Sequence, residues 1–327
     1  MVRLNRLREK TALPHMFGGR RLFPPSMSLP KLLVLGLLLA VHSAAGAAEK
    51  KIILIAGTPS HPPGMHEFRA GTLLFQKCLT GLPGVQVQVY SNGWPTRVEG
   101  NATVDANEVF QDADAVLIYC DGGQGHPAIR PDRVKVLDAL AAKGKGLGFA
   151  HYGVEVPKGD PGAALHRWIG GHYEHQFSVN PMWKPEFKTL PKHPVTRGVH
   201  PFATRDEWYF NMRWAPSTNG ITPILVAQPS DEVRKGPYVW PHGPYPHIVE
   251  DSGRPEVMMW VLERPDGGRG FGFTGGHTHE TWGDPNQRKL FLNALLWLAK
   301  AEVPAGGVDS KVEEADLRRN LDPKGRK

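Results

Sequence analysis

From residue 51 onward the sequence alternates short β-branched runs with longer stretches of helical period, and that alternation constrains the fold more than any other feature. Residues 51–57 (KIILIAG) read as a buried strand, followed by the turn-rich TPSHPPG. Residues 66–79 read as a helix with Phe68, Leu73, Phe75 and Leu79 among its apolar positions. Val85–Tyr90 is a second strand, and residues 113–120 (ADAVLIYC) a third that ends in the loop DGGQGHP. Pro131–Ala142 supplies a helix with Val134, Leu137 and Leu140 on one face, and Gly146–Ala150 (GLGFA) the next strand. Strands separated by helices pair in parallel through right-handed crossovers. The expected class is therefore α/β, a doubly wound, mainly parallel sheet covered on both faces. Ligands of such sheets sit at the carboxyl ends of the strands.

Beyond Gly171 the pattern loosens, and prolines at 181, 185, 191, 194 and 201 exclude a long helix. This stretch is expected to be a surface excursion or β-insertion within the same domain. Strand-like runs return at residues 223–227, 257–262 and 269–274, with a Pro-rich loop between the first two. The last helix is signalled by Asp284 as N-cap, Pro285 at its first position and Gln287 completing a capping box, with Leu290, Phe291, Ala294, Leu295 and Leu298 on its apolar face. One domain over residues 48–303 is expected, followed by a polar, frayed tail over 304–327.

The formal charge of +7 at first suggests a polyanionic partner. Its location removes that reading. Residues 1–47 hold Arg3, Arg6, Arg8, Lys10, Arg20, Arg21 and Lys31 against the single Glu9, which leaves residues 48–327 close to neutral. Leu32 to Val41 is an apolar run too short to span a bilayer, and Ala45-Gly46-Ala47 forms a small-residue cleavage site after it. The order reads as a secretory leader, removed near Ala47, with translation starting at Met1, Met16 or Met27. The expected destination is periplasmic or extracellular, with no membrane anchor after cleavage. Arg20-Arg21-Leu22-Phe23 leaves twin-arginine export open beside the general route. No nucleic-acid motif or basic helical stripe is present, and DGGQG and GGRGFG lack the spacing of a phosphate cradle. Asn101-Ala102-Thr103 is a glycosylation sequon. Cys78 and Cys120 are either a disulfide or two buried thiols.

Of fifteen histidines, only His15 and His42 fall in the leader. GFAHYG places His151 where a strand-to-turn junction holds the nucleophile of an elbow. No Ser or Cys stands at its tip, so acyl-enzyme chemistry is not expected. A histidine there serves as general acid or base, as metal ligand, or as a structural residue. His277 follows the last strand in GGHTHE, His61 and His66 follow the first, and His172 and His175 lie in GGHYEH beyond the elbow. Asp206 and Glu207 are available to orient an imidazole or to form surface ion pairs. Trp94, Trp208, Trp214 and Trp282 stand in or near loops, where an aromatic face either stacks on a sugar or packs in the core.

Taken together, the strand KIILIAG with His66 behind it, GFAHYG, GGHYEHQF, KHPVTRGVHPF leading into DEWYFN, and GRGFGFTGGHTHETW resemble the trehalose-utilisation ThuA-like family. That fold is similar to the class I glutamine amidotransferase domain, a flavodoxin-like arrangement, with His151 in place of the cysteine. The resemblance covers roughly residues 50–300. Trp208 stands where the family more often has Leu or Ile, and the Pro-rich residues 239–255 are an elaboration. The resemblance implies processing of disaccharides oxidised to keto forms.

Three readings follow. In the first, an exported enzyme acts on a sugar or keto-sugar through His151 as acid or base, with His66 and His277 polarising substrate, Asp206 or Glu207 orienting an imidazole, and Tyr152, Trp208, Tyr209 and His175 binding substrate. In the second, a hydrolase holds zinc through some of His66, His151, His175 and His277. In the third, the chain binds carbohydrate without catalysis.

Overall fold

The computed structural model describes residues 49–325, and the leader with its alternative starts lies outside them. Seven strands form the main sheet: β1 (Lys50–Ala56), β2 (Val85–Tyr90), β3 (Ala115–Tyr119), β4 (Gly146–Ala150), β5 (Ile221–Ala227), β6 (Glu256–Glu263) and β7 (Arg269–Phe273). Their order is β5-β6-β7-β4-β3-β1-β2. β2, β1, β3, β4 and β7 run parallel, while β6 and β5 extend the sheet in antiparallel pairing. The parallel part has the 2-1-3-4-5 order of the flavodoxin-like fold, with its switch point between β1 and β3.

β1 shows why these runs become central strands. Ile52, Leu54 and Ala56 point into one apolar core and Ile53 and Ile55 into another, all fully buried, as the two-residue period of a strand covered on both faces demands. Helices α1 (Phe68–Leu79) and α4 (Pro285–Leu298) fill the first core, and α2 (Pro131–Ala142) and α3 (Asp160–Ile169) the second. α1 begins two residues later than expected, because His66 adopts φ +47° and cannot be part of a right-handed helix. Asp284 caps α4, accepting hydrogen bonds from the Asn286 and Gln287 N–H groups at 2.9 Å. Gln287 does not close a capping box; its side chain bonds Thr204 and Thr281 instead.

The proline-broken segment is a buried insertion, not a surface excursion. Short antiparallel pairings join Met182–Trp183 to Asp206–Glu207 and Gly171–His172 to Arg213–Trp214, and Val179, Phe187, Val195 and Phe210 enter the first core. The C-terminal segment is not frayed either. Val308 is fully buried, Asp316 pairs with Lys77, and the Asp322 N–H donates to Glu67 at 2.7 Å. Asp316 finds its partner on α1 and Asp322 on the residue before it, and such partners far along the chain are why composition alone misreads the segment. Cys78 and Cys120 are free thiols. No helix among the described residues is long and apolar enough to cross a membrane.

Candidate functional site

The loops leaving four parallel strands converge at one edge of the sheet: His61 and His66 after β1, Asp121 after β3, His151 after β4 and His277 after β7. Glu207 joins them from the insertion. Ligand-type atoms of His66, His151, His277 and Glu207 all lie within 4.8 Å of one another, and all four residues are buried.

Local backbone geometry aims these rings. His66 (φ +47°) and His151 (φ +51°) both occupy the left-handed region, which costs a non-glycine residue free energy and is found where a site demands it. His151 follows β4 directly, as the tip of an elbow does. His277 follows Gly276, at φ +98°, where a Cβ would come 2.8 Å from the Trp282 ring. Asp206 grips the same turn by accepting from the Gly276 N–H at 2.7 Å and the Thr278 N–H at 2.9 Å.

Outer hydrogen bonds assign the tautomers. His151 Nδ1 lies 3.1 Å from the Thr274 carbonyl oxygen, an acceptor only, so Nδ1 carries the proton and Nε2 a lone pair. His66 Nδ1 donates to the Asp121 carboxylate at 2.6 Å, which likewise leaves its Nε2 unprotonated. Burial, with the neighbouring imidazoles, pushes both rings far below the ordinary histidine pKa, so neither takes up a second proton. The two Nε2 atoms face each other at 3.0 Å.

His277 Nδ1 completes the triangle, 3.0 Å from His66 Nε2 and 3.3 Å from His151 Nε2. Glu207 Oε2 stands 2.6 Å from His277 Nδ1 and 3.7 Å from His151 Nε2, and the other Glu207 oxygen accepts from Asn180 Nδ2 at 2.8 Å. Burial raises the Glu207 pKa against the opposing pull of His277. Tyr209 Oη lies 3.3 Å from His151 Nε2.

Lone pairs turned on one another beside a buried carboxylate are unfavourable without a cation. With metal–nitrogen bonds of about 2.0–2.1 Å, donor atoms around a tetrahedral zinc ion stand roughly 3.4 Å apart. The nitrogen separations of 3.0–3.3 Å are close to that spacing. Three imidazoles and a carboxylate suit zinc or another first-row divalent ion, and the Asp121 and Thr274 bonds are of the kind that orient metal-binding histidines.

The structure brings together His66, His151, His277, Glu207 and Tyr209, with the Tyr152 ring 5.9 Å from that of His66. It separates others. His175 is half-exposed, 4.0 Å from Glu155 and outside the cluster, so it is not one of the converging ligands. Trp208 is fully buried against Phe187 and Phe273 and offers no face to a substrate. Asp206 accepts from backbone N–H groups and the Thr281 hydroxyl, not from an imidazole. Trp94 and Trp282 are core residues. Asp121, Asn180 and Glu155 were not anticipated; an acid directly after a buried strand was the available signal for Asp121. A cavity of about 580 Å³ lies elsewhere against Lys184, Glu186 and Lys188, and its lining includes none of the clustered histidines. A smaller one of about 270 Å³ is lined in part by Asp121 and Asn92.

A family model described as ThuA, trehalose utilisation, matches residues 66–298. The chain belongs to the ThuA family. Among solved structures it is similar to a ThuA-like protein from Bacteroides uniformis, with 16% identity and a TM-score of 0.53 over 78% of this chain and 93% of that one. A ThuA-like protein from Parabacteroides merdae is similar at 15% identity and a TM-score of 0.49, over 81% of this chain and 94% of that one. At such identities the likeness to the first shows a shared fold. No curated protein matches the chain.

Proposed function

We propose that this ThuA-family protein is a metal-dependent enzyme of sugar catabolism, with His66, His151, His277 and Glu207 holding a divalent ion, zinc being the ion their chemistry suits best. The observation that carries this reading is the pair of unprotonated Nε2 atoms of His66 and His151, 3.0 Å apart with both outer nitrogens committed. Bound there, the ion supplies Lewis acidity toward a sugar carbonyl or hydroxyl oxygen. Asp121 and the Thr274 carbonyl orient the two imidazoles, and burial keeps them neutral. Tyr209 Oη, 3.3 Å from His151 Nε2, would supply a proton-bearing hydroxyl beside the ion. The role of His151 as a free acid or base fits less well, since its ring has no exposed surface and its Nδ1 is committed to the Thr274 carbonyl.

The substrate class is a disaccharide, supported by the family's description, or a keto-sugar derived from one. Metal analysis of tag-free protein, paired with turnover of a panel of 3-keto-disaccharides before and after chelation, tests the reading. One ion per chain and activity that is lost with it and restored on re-addition are expected. Protein that binds no divalent ion, or turnover indifferent to chelation, refutes it. The basic, apolar and small-residue order of residues 1–47 supports export, and a mature N-terminus at Ala48 in periplasm or medium is the expected result.

A further inference from the structure

The cavity of about 270 Å³ lies where the chain leaves β1, β2 and β3, at the switch point of the parallel sheet. Open sheets of this class seat their ligands in that crevice. Thr58 lines it from the segment after β1, Asn92 from the segment after β2 and Asp121 from the segment after β3, with Trp94 and Thr96 completing the wall. Backbone bonds tie these exits together. The Gly57 N–H donates to the Tyr119 carbonyl at 2.8 Å, and the Gly93 N–H to the Ala56 carbonyl at 2.7 Å. Asn92 takes its place at φ +67°, in the left-handed region that asparagine tolerates better than most side chains.

The charges in the lining decide what it can hold. Arg133 is fully engaged: Nε and Nη2 donate to the two Asp105 oxygens at 2.7 Å, Nη1 donates to the Pro127 carbonyl at 2.9 Å, and the guanidinium carbon stands 5.2 Å from the centre of the Trp94 ring. The lining therefore offers no unpaired cation to a phosphate or carboxylate. Its other charge is the Asp121 carboxylate, which accepts from His66 Nδ1 at 2.6 Å and keeps 32% of its side chain exposed. An anion in the cavity would face that carboxylate unbalanced, whereas a hydroxyl donates to it. Trp94, its indole N–H fixed on Asn107 at 2.9 Å, adds aromatic surface, and Thr58, Asn92 and Thr96 add neutral donors and acceptors.

We infer that this cavity is a glycosyl subsite for one neutral pyranose ring, whose hydroxyls donate to Asp121 and whose apolar C–H face packs on Trp94. Its volume falls just under the roughly 300–1,000 Å³ of cavities that take drug-sized ligands, so it has room for one ring and not for a whole disaccharide. Asp121 links the subsite to the reacting centre, because the carboxylate that meets the ring also orients His66. The assignment rests on the reading that the histidine cluster acts on a sugar, but the contacts with the ring do not require the ion.

Gly125 also lines the cavity; its φ lies outside the left-handed region, and no atom stands within 4 Å of the place a Cβ would take. Gly125→Leu thus fills the space without a backbone conflict, and Asn92→Gly removes an amide while keeping a residue suited to the left-handed turn. Isothermal titration of metal-loaded wild type and both variants with D-glucose and α,α-trehalose tests the assignment, with metal content and urea midpoint measured on each sample. Inorganic phosphate is titrated into chelator-treated protein, where no ion can bind it. Wild type is expected to bind at least one of the sugars at millimolar affinity, Gly125→Leu to weaken that binding about tenfold or more, and Asn92→Gly about threefold, with metal content unchanged. If the midpoint shows that Gly125→Leu is unfolded, Asn92→Gly decides. Sugar affinity equal to wild type in the folded variants, or no binding of either sugar up to about 50 mM, would overturn the assignment. Phosphate bound more tightly than the sugars, and lost in Gly125→Leu, would make this an anion site and overturn it as well. Failure of the metal reading alone looks different: protein that holds no ion still binds sugar, and Gly125→Leu still loses it.

Discussion

His66 and His151 meet Nε2 to Nε2 at 3.0 Å, while the Nδ1 atoms behind them are held by Asp121 and by the Thr274 carbonyl. The strands that carry them, β1 and β4, are separated in the sheet by β3, and it is β3 that delivers Asp121. Strand order thus places a carboxylate behind one imidazole and a second imidazole in front of it.

The first consequence concerns Asp121. Asp121→Asn keeps the size of the side chain but removes the charge that holds the proton on His66 Nδ1. Zinc affinity, measured by competition with a chelating dye, is expected to fall about 10- to 100-fold. An unchanged affinity would mean that His66 does not bind metal through Nε2.

Asp206 acts on the loop instead of on a ring. Its buried carboxylate accepts from the Gly276 and Thr278 N–H groups on either side of His277. Asp206→Asn is expected to destabilise the protein by about 2 kcal/mol, read as a lower urea midpoint, and to lower metal content by displacing His277. A midpoint equal to wild type would show that the turn holds itself.

Glu155 predicts a pH dependence of stability. Its folded-state pKa of about 8 stands above the ordinary 4.5. Between those values the native state keeps a proton that the unfolded chain has lost, so stability falls as pH rises through that window, by up to about 1.4 kcal/mol per pH unit. Urea unfolding of Glu155→Gln at pH 5, 6, 7 and 8 is expected to lack this component of the slope. Parallel pH profiles for variant and wild type would show that Glu155 ionises normally.

The C-terminal segment reaches the site from behind. Lys324 Nζ donates to the His66 carbonyl at 3.0 Å, and the Asp322 N–H to Glu67 at 2.7 Å. Ending the chain at Ser310 removes both contacts and the Asp316–Lys77 pair. We expect a loss of about 2 kcal/mol, a melting temperature lower by roughly 4–8 °C, and weaker metal retention. Thermal unfolding that is unaltered by the truncation would return the segment to the status of a loose tail.

Local pattern settled a good deal of this protein. Strands such as IILIA and AVLIY are apolar on both faces, and that is a property of neighbouring residues, so the α/β class, the parallel sheet and the emergence of His66, His151 and His277 at strand ends were all legible along the chain. Convergence was not, because it depends on which strands lie side by side. The β2-β1-β3-β4-β7 order alone brings residues 66, 151 and 277 within one bond network and leaves His175 outside it. Burial was equally non-local. Trp208 and Trp240 look alike as loop tryptophans, yet the first fills the core beneath β7 and the second stands in water beside Glu207's partner Asn180. Sequence determined the elements and the kinds of side chain at their ends; only tertiary packing decided which lone pairs face each other, because that is set by distances between residues far apart along the chain.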